Sequence, residues 1–220
     1  MSGQYRQARF KMEENPDNRY IHLHPWEKDG ENDQHKYSLV WLHGLGDSAQ
    51  GFYDIFLDNK IGLVPKTCKV ILPTAPERAV SCNNGYVMTS WYDIMSLDRA
   101  EISTPEQNEK NYSQEEITDS VSIVTKLLDA EVETLGGDHS KVFIGGFSQG
   151  CAISLATFLR YDKGALGGVI GLSGAHCATT DWDNIDLDLK KKTEMFLYHG
   201  EHDNMIPCNL AIKSYEVFQT

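Results

Sequence analysis

The pattern of apolar positions predicts short strands separated by helices. Five segments are short, apolar and rich in β-branched or aromatic residues, and helical patterns separate several of them. Buried parallel strands have this continuous apolar character. The pattern therefore predicts an α/β fold, a mostly parallel central sheet with helices on both faces, with these strands: Tyr37–Leu42, Lys69–Leu72, Lys141–Ile144, Gly168–Leu172 and Glu194–His199.

The clearest helix is predicted over Gln114–Leu135. Ser113 is placed to cap its first turn, and Glu116, three residues later, would complete a capping box. Gly136 and Gly137 end the pattern, because glycine accepts the left-handed conformation at a helix C-terminus. The apolar positions are three, four or seven residues apart: Ile117, Val121, Val124, Leu128 and Leu135.

The flanking and connecting segments differ from this core in composition. Residues 1–36 form a polar leader, and residues 37–220 form the predicted domain. Within the leader, Tyr20–His24 alternates like an edge strand, and we expect it to pair with Tyr37–Leu42. Residues 73–114 are predicted to be mostly irregular, and a loop of this length is usually functional or disordered. It contains Trp91-Tyr92, which indicates an ordered wall beside a pocket.

Composition excludes several classes of function. The formal net charge is −12, from 32 acidic and 20 basic residues, which argues against binding to nucleic acid or to anionic membranes. The five cysteines include no C-x-x-C pair, so we expect no metal site. We expect no signal peptide, since residues 1–9 are polar, and no apolar run approaches the ~18 residues that a membrane span needs. These features favour a reduced, soluble, cytoplasmic protein.

The strongest local signal is Gly146-Phe147-Ser148-Gln149-Gly150, between a predicted strand and a predicted helix over Gln149–Arg160. A nucleophile elbow needs this context, because the tight turn requires small neighbours and leaves the serine exposed at its tip. The N-terminus of the helix supplies free N–H groups for a developing oxyanion. Ser148 is therefore the candidate nucleophile. The alternative is a glycine-rich turn with an incidental serine.

A second motif, Leu42-His43-Gly44-Leu45-Gly46-Asp47, follows the first predicted strand of the domain. A serine hydrolase needs two N–H donors for its tetrahedral oxyanion, one from the residue after the serine and one from an early loop. Gln149 and Leu45 are the candidates. We interpret His43 and Asp47 as structural residues of this loop.

A third motif, His199-Gly200-Glu201-His202-Asp203, follows a late strand. In the nucleophile-elbow hydrolases the triad acid comes after the serine, near the carboxyl end of such a strand. Asp203 is the candidate acid and Glu201 the second choice. The alternative is that both carboxylates are solvated turn residues.

Together these segments resemble the acyl-protein thioesterases, within the phospholipase/carboxylesterase family of α/β-hydrolases. The resemblance extends over residues 40–218 in order and spacing. The segments that carry it are Trp41–Asp47, Leu72–Arg78, Ser90–Ile94, Gly145–Gly150 and His199–Asp203.

The resemblance implies a function and assigns roles. Ser148 would be the nucleophile and Asp203 the acid, with oxyanion N–H groups from Leu45 and Gln149. Trp91 would lie near the acyl channel. Substrates would be thioesters or carboxylic esters, including palmitoyl-cysteine and lysophospholipids, and no cofactor would be needed.

The sequence departs from the family pattern at three points. Cys151 stands where the family usually has a further glycine. Ala175-His176-Cys177 replaces an aromatic-Leu-Pro run that lines the channel, which leaves the substrate preference open. We expect His176 to border the pocket, or to be a polar loop residue.

The third departure concerns the base. The family's catalytic histidine follows one more strand, whereas no histidine follows His202 here. We therefore expect the sequence as given to lack the last strand and helix of the fold. Two hypotheses remain: a working hydrolase whose sequence is incomplete, or an inactive structural or binding subunit of a larger assembly. The predicted open edge at Glu194–His199 would then bind a protein partner.

Overall fold

A seven-stranded sheet forms the centre of the molecule in the computed structural model, which describes residues 10–25, 35–58, 61–98, 107 and 110–218. The strands are β1 (Phe10–Asn15), β2 (Tyr20–Pro25), β3 (Tyr37–Leu42), β4 (Cys68–Leu72), β5 (Glu77–Val80), β6 (Tyr86–Thr89), β7 (Val142–Phe147), β8 (Gly168–Leu172) and β9 (Met195–Tyr198). The order in the sheet is β1-β2-β4-β3-β7-β8-β9, and β5 pairs with β6 in a separate hairpin. Within the sheet, the five adjacent strands β4-β3-β7-β8-β9 are all parallel to their neighbours.

Five α-helices accompany the sheet in the described ranges. They are α1 (Ala49–Leu57), α2 (Gln114–Thr134), α3 (Gln149–Arg160), α4 (Leu187–Lys190) and α5 (Cys208–Glu216). None of these helices is both long enough and apolar enough to cross a bilayer. The predicted α/β fold, with a mostly parallel sheet and helices on both faces, is confirmed.

The sheet separates two apolar cores. One lies under α2, α3 and α5, and it includes Val40, Trp91 and Ile153. The other lies under α1, where Trp41 packs against Phe56. Because side chains alternate across a strand, adjacent residues of β3 contribute to opposite cores.

The N-terminal segment extends the sheet by two strands. β2 is antiparallel to both β1 and β4, with Leu23 opposite Val70. The expected pairing of Tyr20–His24 with Tyr37–Leu42 is therefore wrong, because β3 uses both of its edges for the parallel partners β4 and β7. Residues 1–9 and 26–34 of the predicted leader lie outside the described residues.

Two local predictions are corrected in the segment that leads to α2. The stretch predicted to be mostly irregular contains the β5–β6 hairpin. Only half of the predicted capping box forms: Ser113 accepts from the Glu116 N–H. The Glu116 carboxylate instead bonds to the Asp93 N–H at 2.6 Å and pairs with Arg78 at 3.1 Å. A cationic partner makes the stronger, charge-assisted contact.

Candidate active site

Ser148 lies at the tip of a sharp turn between β7 and α3. Its backbone φ is +54° and ψ is −116°, a conformation that non-glycine residues rarely adopt. The Ser148 N–H donates to the Leu172 carbonyl at the end of β8, with a distance of 2.9 Å. The side chain is partly exposed. Ser148 therefore has the strained, accessible position that an elbow requires.

The close approach of strand and helix explains the two glycines of the motif. An ideal Cβ on Gly146 would lie 2.4 Å from the Gly150 carbonyl carbon, and one on Gly150 would lie 2.2 Å from the Leu42 oxygen. Neither position has room for a side chain, because the contacting atoms are backbone. The same crowding brings α3 directly against the end of β3.

The loop after β3 packs against the elbow. An ideal Cβ on Gly44 would lie only 3.4 Å from the Ser148 Cβ. Neither the Leu45 N–H nor the Gln149 N–H has a hydrogen-bond acceptor within the part of the chain that the structure describes. Both amides are therefore available to an oxyanion formed at Ser148.

His43 supports this loop from inside the core. Its ring is 1 % exposed. Nε2 accepts from the Ala75 N–H at 2.9 Å, so Nδ1 carries the proton that is donated to the Gly44 carbonyl at 2.7 Å. Burial lowers the pKa of His43, which favours this neutral form. Since the C=O and N–H of a trans peptide point in opposite directions, holding the Gly44 carbonyl turns the Leu45 N–H away from His43.

A cavity of about 310 Å³ opens beside Ser148. Its wall includes Leu45 and Gln149, and most of its other residues are apolar. They come from the segment after Trp91, from the loop after β8, from the loop before α5 and from the first turn of α5: Tyr92, Ile94, Leu97, Tyr112, Ala175, Met205, Ile206, Pro207 and Leu210. Such a wall suits an acyl chain bound next to a polar reacting group.

Asp203 lies in the turn after β9. One carboxylate oxygen, Oδ1, accepts from the Met205 and Ile206 N–H groups at 2.8 and 2.9 Å. The other, Oδ2, lies 3.5 Å from His199 Nε2, which also bonds to the Ile206 carbonyl at 2.8 Å. Asp203 itself does not line the cavity, but the residues that it holds do. Glu201, the second choice, is exposed.

Comparison with known proteins assigns the chain. The sequence profile of the Phospholipase/Carboxylesterase family matches residues 29–220. The chain belongs to the phospholipase/carboxylesterase family. It is 37 % identical over 182 residues to acyl-protein thioesterase 1 of Yarrowia lipolytica, covering 78 % of this chain and 71 % of the relative. It is 34 % identical over 168 residues to the carboxylesterase SOBER1 of Arabidopsis thaliana, covering 76 % of this chain and 69 % of the relative.

A solved structure agrees with the assignment. The crystal structure of Arabidopsis thaliana SOBER1 matches with a TM-score of 0.69 and 29 % identity, over 83 % of this chain and 82 % of that chain. The resemblance to this family drawn from the sequence motifs is therefore confirmed.

Neither Trp91 nor His176 is among the residues that line the cavity, although a chain neighbour of each one is. Trp91 is completely buried and lies behind the cavity wall, where the next residue, Tyr92, takes the expected place. His176 faces away from the cavity, packs against Phe218 and bonds to Thr180 Oγ1 at 2.9 Å, although its neighbour Ala175 lines the wall.

Sequence reasoning missed the side-chain role of Gln149. Its amide oxygen accepts from the Trp91 N–H at 2.8 Å, and its Nε2 donates to the Tyr92 carbonyl at 2.6 Å and to Ser90 Oγ at 3.0 Å. The elbow is thereby fastened to the segment over Ser90–Tyr92. A polar residue inside the first turn of an otherwise apolar helix was the available signal.

No histidine ring is hydrogen-bonded to Ser148 in the described ranges. His22, His24 and His35 lie on or near β2 and β3, close to Glu131, which contacts Ser38 at the start of β3. His43 is committed to the loop after β3, and His199 is bonded to the turn of Asp203. The exposed His202 precedes that turn.

Proposed function

We propose that this protein is a serine hydrolase of carboxylic esters or thioesters that works through an acyl-enzyme on Ser148. The relatives named acyl-protein thioesterase and carboxylesterase support this class of reaction. The observation that carries the proposal is the position of Ser148, strained and accessible beside an apolar cavity, with two unpaired amides nearby.

The proposed chemistry follows from that arrangement. The Ser148 hydroxyl attacks the carbonyl carbon of the bound ester, and the Leu45 and Gln149 N–H groups donate to the developing oxyanion. Loss of the alcohol or thiol leaves an acyl-enzyme, which water hydrolyses. We assign Asp203 as the acid that orients the base, because its turn lies beside the cavity and already holds the carboxylate.

The base is the part of this mechanism that experiment must locate. The serine proton has to pass to an imidazole, and without one activity falls to a small residue supplied by binding and the oxyanion donors. Turnover well above that residue would show that an imidazole reaches Ser148.

The acyl cavity and the cellular setting belong to the same proposal. We infer acyl esters or thioesters of lipidated proteins or lysophospholipids as substrates, since most of the wall is apolar. We also infer a cytoplasmic, reducing setting, because all five cysteines carry free thiols.

The first experiment measures hydrolysis of p-nitrophenyl esters and acyl thioesters of increasing chain length, together with labelling by a fluorophosphonate. We expect Ser148→Ala to abolish labelling and turnover. Ser122→Ala is the matched control, since Ser122 is exposed on α2. A wild-type protein that is folded yet neither turns over substrate nor labels at Ser148 would contradict the proposal.

A second candidate function is that of a binding subunit without catalysis. It is favoured by β9, which pairs with β8 alone among the described strands. Phe196 and Tyr198 on this strand are 61 % and 58 % exposed. An edge with free backbone groups and large apolar side chains is a site for adding a strand from a partner.

A further inference from the structure

Trp91 is completely buried, yet its polar groups bond to three different parts of the molecule. Its backbone N–H donates to Gln149 Oε1 at 2.8 Å. Its indole Nε1–H donates to the His43 carbonyl at 2.9 Å. Its carbonyl accepts from Ser120 Oγ on α2. A side chain fixed in this way has little freedom to move.

Two of these partners, Gln149 and His43, belong to the segments that supply the candidate oxyanion donors. Gln149 supplies one donor through its own N–H, and its side chain is the acceptor for Trp91. His43 precedes Leu45, the second donor, by two residues. Among the described residues, Trp91 is therefore the one that hydrogen-bonds both to the loop after β3 and to Gln149 at the start of α3.

The other contacts of the loop after β3 lead elsewhere. The Gly46 N–H donates to the Thr89 carbonyl at 2.8 Å, and Thr89 Oγ1 donates to the Asp47 carbonyl at 2.6 Å. His43 Nε2 accepts from the Ala75 N–H. These bonds tie the loop to β6 and to the segment after β4. None of them reaches Gln149, so the distance between the loop and Gln149 is set by the Trp91 indole and by packing.

We propose that Trp91 is a positioning residue that sets the spacing between the Leu45 and Gln149 N–H groups. This inference rests on the proposed function of Ser148. Donors to an oxyanion act in the transition state more than in the ground state, so a small error in their spacing lowers the rate more than it weakens substrate binding. Trp91 thereby influences catalysis from behind the cavity wall.

The test compares Trp91→Phe with Trp41→Phe. Trp41 is also buried, at 7 % exposure, but it lies in the core under α1, and its Nε1 has no hydrogen-bond partner among the described residues. Both variants therefore replace a buried indole by the smaller phenyl ring, and only one of them removes the bond to His43. We expect kcat of Trp91→Phe to fall about tenfold or more, with KM changed by about twofold at most, and Trp41→Phe to keep kcat near the wild-type value.

A second readout separates positioning from simple packing. A boronic acid that forms a tetrahedral adduct with Ser148 should lose affinity in Trp91→Phe by the same factor as kcat/KM. Where Trp91→Phe does not fold, 3-benzothienylalanine at position 91 keeps the ring shape and lacks the N–H, and the same loss is expected.

The outcomes are distinct. Equal losses in the two variants, an unchanged kcat in Trp91→Phe, or a rise in KM alone would each overturn the positioning role while Ser148-dependent turnover by the wild type upholds the proposed function. Folded wild-type protein without such turnover would overturn both.

Discussion

At the scale of single residues, Ser148 combines partial exposure with an unfavourable backbone conformation. Such a conformation costs about 1–3 kcal/mol in a non-glycine residue. We expect Ser148→Gly to unfold at a higher temperature than the wild type, although it would be inactive. Thermal and urea unfolding of both proteins measures the difference.

The matched control has the opposite expected sign. Ser122→Gly lies within α2, where glycine costs about 0.5–1 kcal/mol by its conformational entropy. If Ser148→Gly loses stability as Ser122→Gly does, the elbow is not strained.

A second residue, His176, gives the fold a dependence on pH. Burial, and next the Arg160 guanidinium, lower the pKa of His176 to about 4. The unfolded chain takes up this proton below pH ~6.5, whereas the folded chain does so only near the lower pKa. Stability is therefore lost as pH falls through this window, by about 2–3 kcal/mol.

Variants at this site isolate the effect. His176→Gln should remove this part of the pH dependence. Thr180→Val, which removes only the hydrogen-bond partner, should lower stability without changing the slope. Urea unfolding between pH 7 and pH 4.5 measures all three proteins. An unchanged slope in His176→Gln would show that other groups cause the acid sensitivity.

At the scale of elements, the contact between α3 and β3 depends on Gly150. Because an added Cβ would meet the Leu42 and His43 carbonyl oxygens at 2.2 and 2.6 Å, the strand or the helix would have to move. We expect Gly150→Ala to lose about 3 kcal/mol or more, or to fail to fold.

Gly200→Ala is the control for this substitution. Nothing lies within 4 Å of an added Cβ at Gly200, so we expect a change of about 0.5 kcal/mol at most. Unfolding of purified protein, or the soluble fraction when a variant does not fold, gives the comparison. Equal stability of the two variants would contradict the close packing described here.

The sequence was most informative about elements that depend on local pattern. Tyr37–Leu42 and Gly168–Leu172 form strands with the predicted bounds, and α2 begins at the predicted residue. The predictions that were wrong concerned contacts with residues distant in sequence. Glu116 turns to Arg78, which is far away in sequence, and β2 pairs with β4 because β3 has no free edge.

The candidate site divides in the same way. The motifs gave Ser148, Leu45 and Gln149, which the structure brings together around one cavity. They did not give the orientation of Trp91 or His176, because the choice between cavity and core at an extended segment is made by the chain that packs behind it. The bonds of the Gln149 side chain have the same origin.

At the scale of the whole molecule, the proposed binding function predicts association through the edge at β9. We expect Phe196→Lys to reduce concentration-dependent association, because a charged residue on an edge strand opposes pairing. Tyr86→Lys is the control, since Tyr86 is 71 % exposed but lies on the separate hairpin. Sedimentation at increasing protein concentration measures the effect, and equal behaviour of the two variants would exclude the edge as the contact.

The two cores on opposite faces of the sheet each contain a buried indole, Trp91 on one side and Trp41 on the other. Proteins that keep only one of these rings as a fluorophore would emit from a single layer. Stopped-flow fluorescence could then follow the two layers separately, and coincident traces would mean that the whole sheet forms in one cooperative step.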